Sequence, residues 1–234
     1  MQSEHISKQY DADLEAVRAK VLEMGNLVMQ QMVDAMEALT KSNPTLAKNV
    51  IKKDSLVNAL EMQIDEGCSH IIARRQPTAG DLRIVLMMMK SITDLERIGD
   101  EAAKIARYAL KSSETERILT PRFVEIKAMA STARDMLHKA LDAFARSDAS
   151  KVVEIAHMDE EVDEQYQAAI RQLITFMLED PRTISVSLEV LFIAKAVERI
   201  GDHAKNISEN VVYMVRGKDV RHISVEDMES QIAE

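Results

Sequence analysis

The chain has 234 residues, 46% hydrophobic and 29% charged, with thirty basic and thirty-nine acidic side chains giving a net charge of −9. That balance supports a buried core but lacks the basic footprint of a nucleic-acid binder and is unfavourable for anionic lipid headgroups. A single cysteine, Cys68, excludes an intrachain disulfide and suits a reducing compartment, and six glycines with four prolines favour a few long helices over a many-stranded sheet.

In chain order, the segment Met1 to Tyr10 is polar and lacks the apolar centre of a signal peptide. Apolar residues then recur at intervals of three and four, which predicts a helix over 5–42. Asn43-Pro44 supplies a cap and a first-turn proline for a helix over 46–75. Thr78 with Asp81 resembles a capping box and opens a helix over 79–111. Its Met87-Met88-Met89 run is expected at the core and its edges. The polar stretch Ser112 to Glu116 reads as an inter-domain joint. Thr120-Pro121 opens a helix over 121–147, Ser147 to Ser150 caps one over 150–179, and Asp180-Pro181 precedes the last, over 184–216. Lys218 to Glu234 loses the apolar period and is expected as a loose tail. The longest apolar run, Ile84 to Met89, is far too short to span a bilayer. No two glycines lie close enough for a dinucleotide fingerprint or a P-loop.

Helices of roughly 45 Å with short connections pack as antiparallel neighbours. The expected fold is therefore all-α, with six long helices in two tandem, pseudo-symmetric three-helix bundles. The expected boundaries are 1–113 and 114–217, followed by the tail 218–234. The pseudo-symmetry comes from a repeat: Glu96-Arg97-Ile98-Gly99-Asp100 recurs as Glu198-Arg199-Ile200-Gly201-Asp202, in the third helix of each half.

Residues four apart share a helix face, so Glu96 points with Asp100 and Glu198 with Asp202. On a helical wheel Met88, Leu95, Ile98, Ala102, Ile105 and Ala109 form an apolar face. Arg83, Lys90, Asp94, Arg97, Glu101 and Lys104 form a polar one, and the carboxylates fall on the border. Gly99 between them would let a backbone or an ion come close. Paired carboxylates need protons, cationic partners or a metal. Asp54 and Asn58 in the second helix, and Asp159 and Asp163 in the fifth, have the spacing to complete one oxygen-ligand site per bundle for Mg²⁺, Mn²⁺, Ca²⁺ or iron. A solvated acidic face, paired with Arg97, Arg199 or Lys104, is the competing reading.

The remaining constellations are thinner. Glu154 and His157 form one Glu-x-x-His pair, where a di-iron bundle needs two. His203 has no counterpart in the first repeat, where Glu101 stands, and reads as a surface residue. Cys68 reads as a buried structural thiol. Of Asp159-Glu160-Glu161, only Asp159 is expected to point inward.

Four segments carry a family resemblance. They are Arg75-Gln76-Pro77-Thr78-Ala79-Gly80-Asp81-Leu82-Arg83; the doubled Glu-Arg-Ile-Gly-Asp with its flanks; Leu141-Asp142-Ala143-Phe144-Ala145; and Arg171-Gln172-Leu173 with the stretch from Met177 to Ile184. In these the sequence resembles the PhoU family over almost its whole length. The resemblance implies two three-helix bundles and a regulator rather than an enzyme. Such a regulator restrains phosphate uptake and the phosphate-starvation (Pho) genes. The implied partners are the sensor histidine kinase PhoR and the transporter ATPase PstB. A homodimer is implied, in the cytoplasm, peripheral to the inner membrane, with no nucleic acid and no membrane insertion. It also implies metal ions (Fe, Mn, Mg or Zn) on carboxylate clusters formed by Asp54, Asn58, Glu96, Asp100, Asp159, Asp163, Glu198 and Asp202. Asn58 stands where an acid is expected, which implies weaker binding in the first half. The alternative is a carboxylate-bundle metal-binding protein or metal-dependent enzyme.

Overall fold

The computed structural model describes residues 8–114 and 124–233. Seven α-helices follow in order: α1 Lys8–Thr40, α2 Pro44–Arg75, α3 Ala79–Glu114, α4 Val124–Arg146, α5 Val152–Glu179, α6 Ile184–Arg216 and α7 Val225–Ala233. A single 3-10 turn, Pro181–Thr183, joins α5 to α6.

The breaks occur where local chemistry places them. The Asn43 side chain accepts the Leu46 amide ahead of α2, with Pro44 in the first turn. Asp180 caps the 3-10 turn through the Arg182 amide. Asp148 accepts the Ser150 amide and hydroxyl, closing the α4–α5 loop, so α5 starts at Val152, two residues later than expected. The expected starts of the first and fourth helices, at 5 and 121, lie outside the described residues, as does the end of the Ser112–Glu116 joint. Ser112 and Ser113 themselves belong to α3.

Within each half the three helices bury one apolar stripe apiece. On α3 the predicted face is the buried one: Met88, Leu95, Ile98, Ala102, Ile105 and Ala109 are all inside. The Met, Leu and Ile side chains among them each contribute roughly 1.5–3 kcal/mol by leaving water. Met87 and Met88 are buried and Met89 half-buried. Cys68 is fully buried, and burial pushes its thiol up to about 12, which keeps it protonated and inert. Gly99 serves the core rather than an ion: a Cβ there would meet Val57, Gln31 and Val28 at 3.3–3.5 Å.

Much of the polar face of α3 does not face solvent: Lys90 and Arg97 are exposed, but the rest is at least half-buried. It meets α6 in an antiparallel seam that welds the halves, with core residues of both in one continuous cluster. Arg83 Nε donates to the Met214 carbonyl at 3.3 Å. Asp94 takes His203 Nδ1 at 2.9 Å and the Asn206 amide at 3.1 Å. Glu101, 3% exposed, takes Arg199 at 3.0 Å and Lys104 at 2.8 Å. Tyr108 stacks on Phe192 with ring centres 6.2 Å apart, and Lys111 pairs with Glu189. His203 is thus a seam residue, correcting the expectation of a surface one.

The expected loose tail also needs correction. Gly217, in the left-handed region at φ 71°, turns the chain after α6. Ser224 then caps α7, accepting the Asp227 amide. Val220 and Met228 are buried with Ala149, Val152, Ala156 and Val212. Two apolar anchors in a short segment are too few to register as a helical period.

Candidate functional site

The repeated segments sit at the middle of α3 and α6, where long helices from the same bundle pass on one side and the other half passes on the other. In the second half, α6 supplies Glu198 and Asp202, one turn apart, and α5 supplies Asp163. One ligand oxygen from each lies within 4.8 Å of the other two. Among the described residues this is the group of three acids whose geometry could hold a metal ion. Glu198 is 8% exposed, and its Oε2 is buried without a hydrogen-bond partner. Burial, then the neighbouring Glu198, Asp159 and Asp163, pushes the Asp202 carboxyl up to about 6. Asp163 is raised by burial and then by Asp159 and Glu198. Asp159 points inward as expected, while Glu160 and Glu161 are exposed. It lies beside the trio rather than in it, with its Oδ2 bonded to Lys205 at 2.7 Å. Lys195 bonds the other Glu198 oxygen at 2.5 Å.

The first half assembles a related but different cluster. Burial and then Asp100 raise Asp54, whose Oδ1 is buried without a hydrogen-bond partner. Burial, then Asp100 and Glu61, raise Glu96. Glu61, itself raised by burial and then by Asp65, is the residue the sequence reading missed. Asn58 is exposed and is not drawn into the cluster. A signal existed: seven residues return a helix almost to the same azimuth, so Asp54 and Glu61 share a stripe more closely than Asp54 and Asn58 do. The acid expected at position 58 stands two turns from Asp54 instead of one. Arg97 pairs with Glu96 at 3.6 Å, an exposed partner at the rim.

The residues of the second trio fit a hard divalent cation, because Glu198 offers a desolvated oxygen that nothing in the protein occupies. The Glu-x-x-His pair has no such disposition. Glu154 bonds Lys139 and Lys151, and His157 faces Glu160 and Glu229 on the surface.

A concavity of about 380 Å³ opens at one end of the seam between Leu86, Met89 and Lys90 of α3 and Glu209 and Tyr213 of α6, with Arg221 beyond. Burial pushes Glu209 up to about 7, against the pull of Lys205.

Comparison with known proteins gives the following. The PhoU domain model matches residues 21–109 and again 126–211, one match per half. A phosphate-specific transport system accessory protein PhoU homolog from Pseudomonas putida is 48% identical, covering 97% of this chain and 89% of that protein. The crystal structure of PhoU from Pseudomonas aeruginosa superposes with a TM-score of 0.86 at 47% identity, over 89% of this chain and 100% of that one. The phosphate transport system regulatory protein PhoU from Streptococcus pneumoniae gives 0.83 at 31% identity, over 90% and 99%. None of these names describes an enzyme. No helix among the described residues is long and apolar enough to cross a membrane.

Proposed function

The chain belongs to the PhoU family, a family of phosphate-transport accessory proteins. On that premise we propose that it is a negative regulator of the phosphate-starvation genes and of phosphate uptake. In this role it is an adaptor between the phosphate ABC transporter and its sensor histidine kinase. Its partners are the transporter ATPase PstB and the kinase PhoR. It works in the cytoplasm as a homodimer, peripheral to the inner membrane through those partners.

The observation that supports an adaptor is an apolar stripe left open on α6. Ile184, Leu188 and Phe192 follow one another at four-residue spacing, and all three are exposed, Phe192 to 55%. Such contiguous apolar surface marks a partner site more often than solvent-facing ornament. An adaptor must present different affinities in its two states, and a rigid twin bundle with an open stripe provides a surface whose availability can change. The chain has no phosphate-cradling loop in its sequence, so it reads phosphate through the transporter's conformation.

The carboxylate clusters hold metal in this reading. A bound divalent cation supplies the positive charge that lets Asp163, Glu198 and Asp202 stay ionised together, and it ties α5 to α6. The chain's own contribution is to hold those three oxygens close and to keep one of them free of water.

The test uses a reporter of a phosphate-starvation promoter in a strain lacking the native protein. Phe192→Glu together with Leu188→Glu, in a chain that stays helical by circular dichroism, leaves the reporter on in high phosphate. Full repression by that variant overturns the role of the stripe, and full repression in the deletion strain itself overturns the regulatory reading. Metal content of protein purified without chelator, beside Glu198→Ala/Asp202→Ala and Glu96→Ala/Asp100→Ala, tests the clusters separately.

A further inference from the structure

The two acidic clusters share the carboxylate pair of the repeated segment, but the second has ammonium groups built into it. Lys195, three residues before Glu198 on α6, donates to Glu198 Oε1 at 2.5 Å, and its Nζ stands 5.4 Å from the centre of the Tyr166 ring on α5. Lys205, three residues after Asp202, bonds Asp159 Oδ2 at 2.7 Å across the α5–α6 interface. At the corresponding places of the first half stand Thr93 and Ala103, neither of which carries charge.

We propose that Lys195 is a built-in competitor for the cation of the second cluster: its ammonium occupies one oxygen of Glu198, and a divalent ion gathers Asp163, Glu198 and Asp202 by displacing it. This rests on the metal reading given above and adds to it the residue that sets the affinity.

Three observations carry the inference. One ammonium on one oxygen leaves Glu198 Oε2 buried without a partner, so the lysine satisfies the site only in part. One oxygen from each of Asp163, Glu198 and Asp202 is already within 4.8 Å of the other two, so little rearrangement separates the lysine-held form from a metal-held one. Lys205 is committed to Asp159, which sits beside the trio, and so is not the direct competitor. The displaced ammonium also keeps a partner: its Nζ already stands over the Tyr166 ring of α5, so Lys195 can give up the carboxylate and retain that contact. Lys195 is one turn from Phe192, so the exchange alters the surface next to the open stripe.

The experiment isolates the second cluster by carrying Glu96→Gln and Asp100→Asn in the full-length chain, and titrates Mn²⁺ with the free ion read by electron paramagnetic resonance. Removing one fixed positive charge from beside a part-buried divalent site is expected to tighten Mn²⁺ binding by about tenfold in Lys195→Met. Lys195→Arg keeps the cation and is expected to bind as the parent does. Lys195→Gln serves in place of the methionine variant if that one loses its helical signal. Binding by the lysine-free variant no tighter than by the parent overturns the competitor role while leaving the metal reading intact. Absence of Mn²⁺ binding from the parent and the lysine-free variant alike overturns the metal reading, and the competitor role with it.

Discussion

The third helix of each half carries the same five residues, Glu-Arg-Ile-Gly-Asp, and the two copies have different surroundings. In α3 the arginine of the segment, Arg97, reaches its own Glu96 at the rim, whereas in α6 Arg199 crosses the seam to the buried Glu101. Behind Gly99 lies the amide of Gln31; behind Gly201 lies the thioether of Met136. The first cluster has no lysine bonded into it among the described residues, while the second has two, on Glu198 and Asp159. A duplicated motif therefore fixes where carboxylates stand, and the unduplicated positions around it fix how their charge is met. The residue following the motif makes the same point. Glu101 and His203 occupy equivalent places, both at the seam, and a second glutamate at 203 would face Asp94 instead of answering it.

Five substitutions sharpen that comparison. The largest effect is expected at Glu209, buried in α6 where the equivalent α3 position is the exposed Arg107. Its carboxyl is raised by burial from 4.5 to about 7. The unfolded chain therefore ionises first as pH rises, and the fold loses stability across that window and holds a constant penalty above it. Glu209→Gln should stabilise the protein by up to about 3 kcal/mol at pH 8 and leave it unchanged near pH 4. Urea unfolding at the two pH values checks this, and an equal effect at both would remove burial as the cause.

Next comes Gln31, which is fully buried with both amide atoms unpartnered. Giving it the residue found in the other half, Gln31→Met, should add about 2 kcal/mol by removing the unmet polar group. A loss of stability instead would mean that the amide holds an internal water. Glu101→Ala should cost about 2 kcal/mol in the same assay. It strips a buried carboxylate from two cations that reach solvent and can rehydrate, which places the cost below that of breaking a fully buried pair. The smallest changes concern metal in the first half. On the metal reading proposed above, Glu61→Gln should weaken Mn²⁺ binding there about tenfold, whereas the exposed Asn58→Ala should leave it unaltered. Equal effects of the two would put Asn58 back in the cluster.

Much of the fold was legible along the chain. Asn43-Pro44 and Asp180-Pro181 mark breaks because a side-chain acceptor and a missing amide serve a helix start and little else. The stripe from Met88 to Ala109 reads as buried because a three-to-four spacing admits one apolar face. The role of the polar stripe of α3 was not legible, for a physical reason. Arg83, Asp94 and Glu101 look solvated from their own helix, and their true neighbours, the Met214 carbonyl, His203 and Arg199, lie about a hundred residues or more away. Charge facing complementary charge cannot be told from charge facing water in one dimension. The site was legible in the same partial way. The doubled segment names Glu96, Asp100, Glu198 and Asp202, and the helix period favours Glu61 over Asn58 beside Asp54, but only the packing of α2 on α3 brings that stripe to Glu96 and Asp100.

By itself the sequence determined a helical chain in two related halves, its breaks, its core stripes and the carboxylates at its centre. These follow from local geometry: the period of a helix, the missing amide of proline and the face shared by residues one turn apart. Only the tertiary structure decided that α3 and α6 join the halves through a polar seam, that residues 225–233 form a docked helix, and that lysines enter one cluster and not the other. Those outcomes depend on which distant side chain arrives to answer a charge or cover an apolar atom, and pairings of that kind are settled by packing.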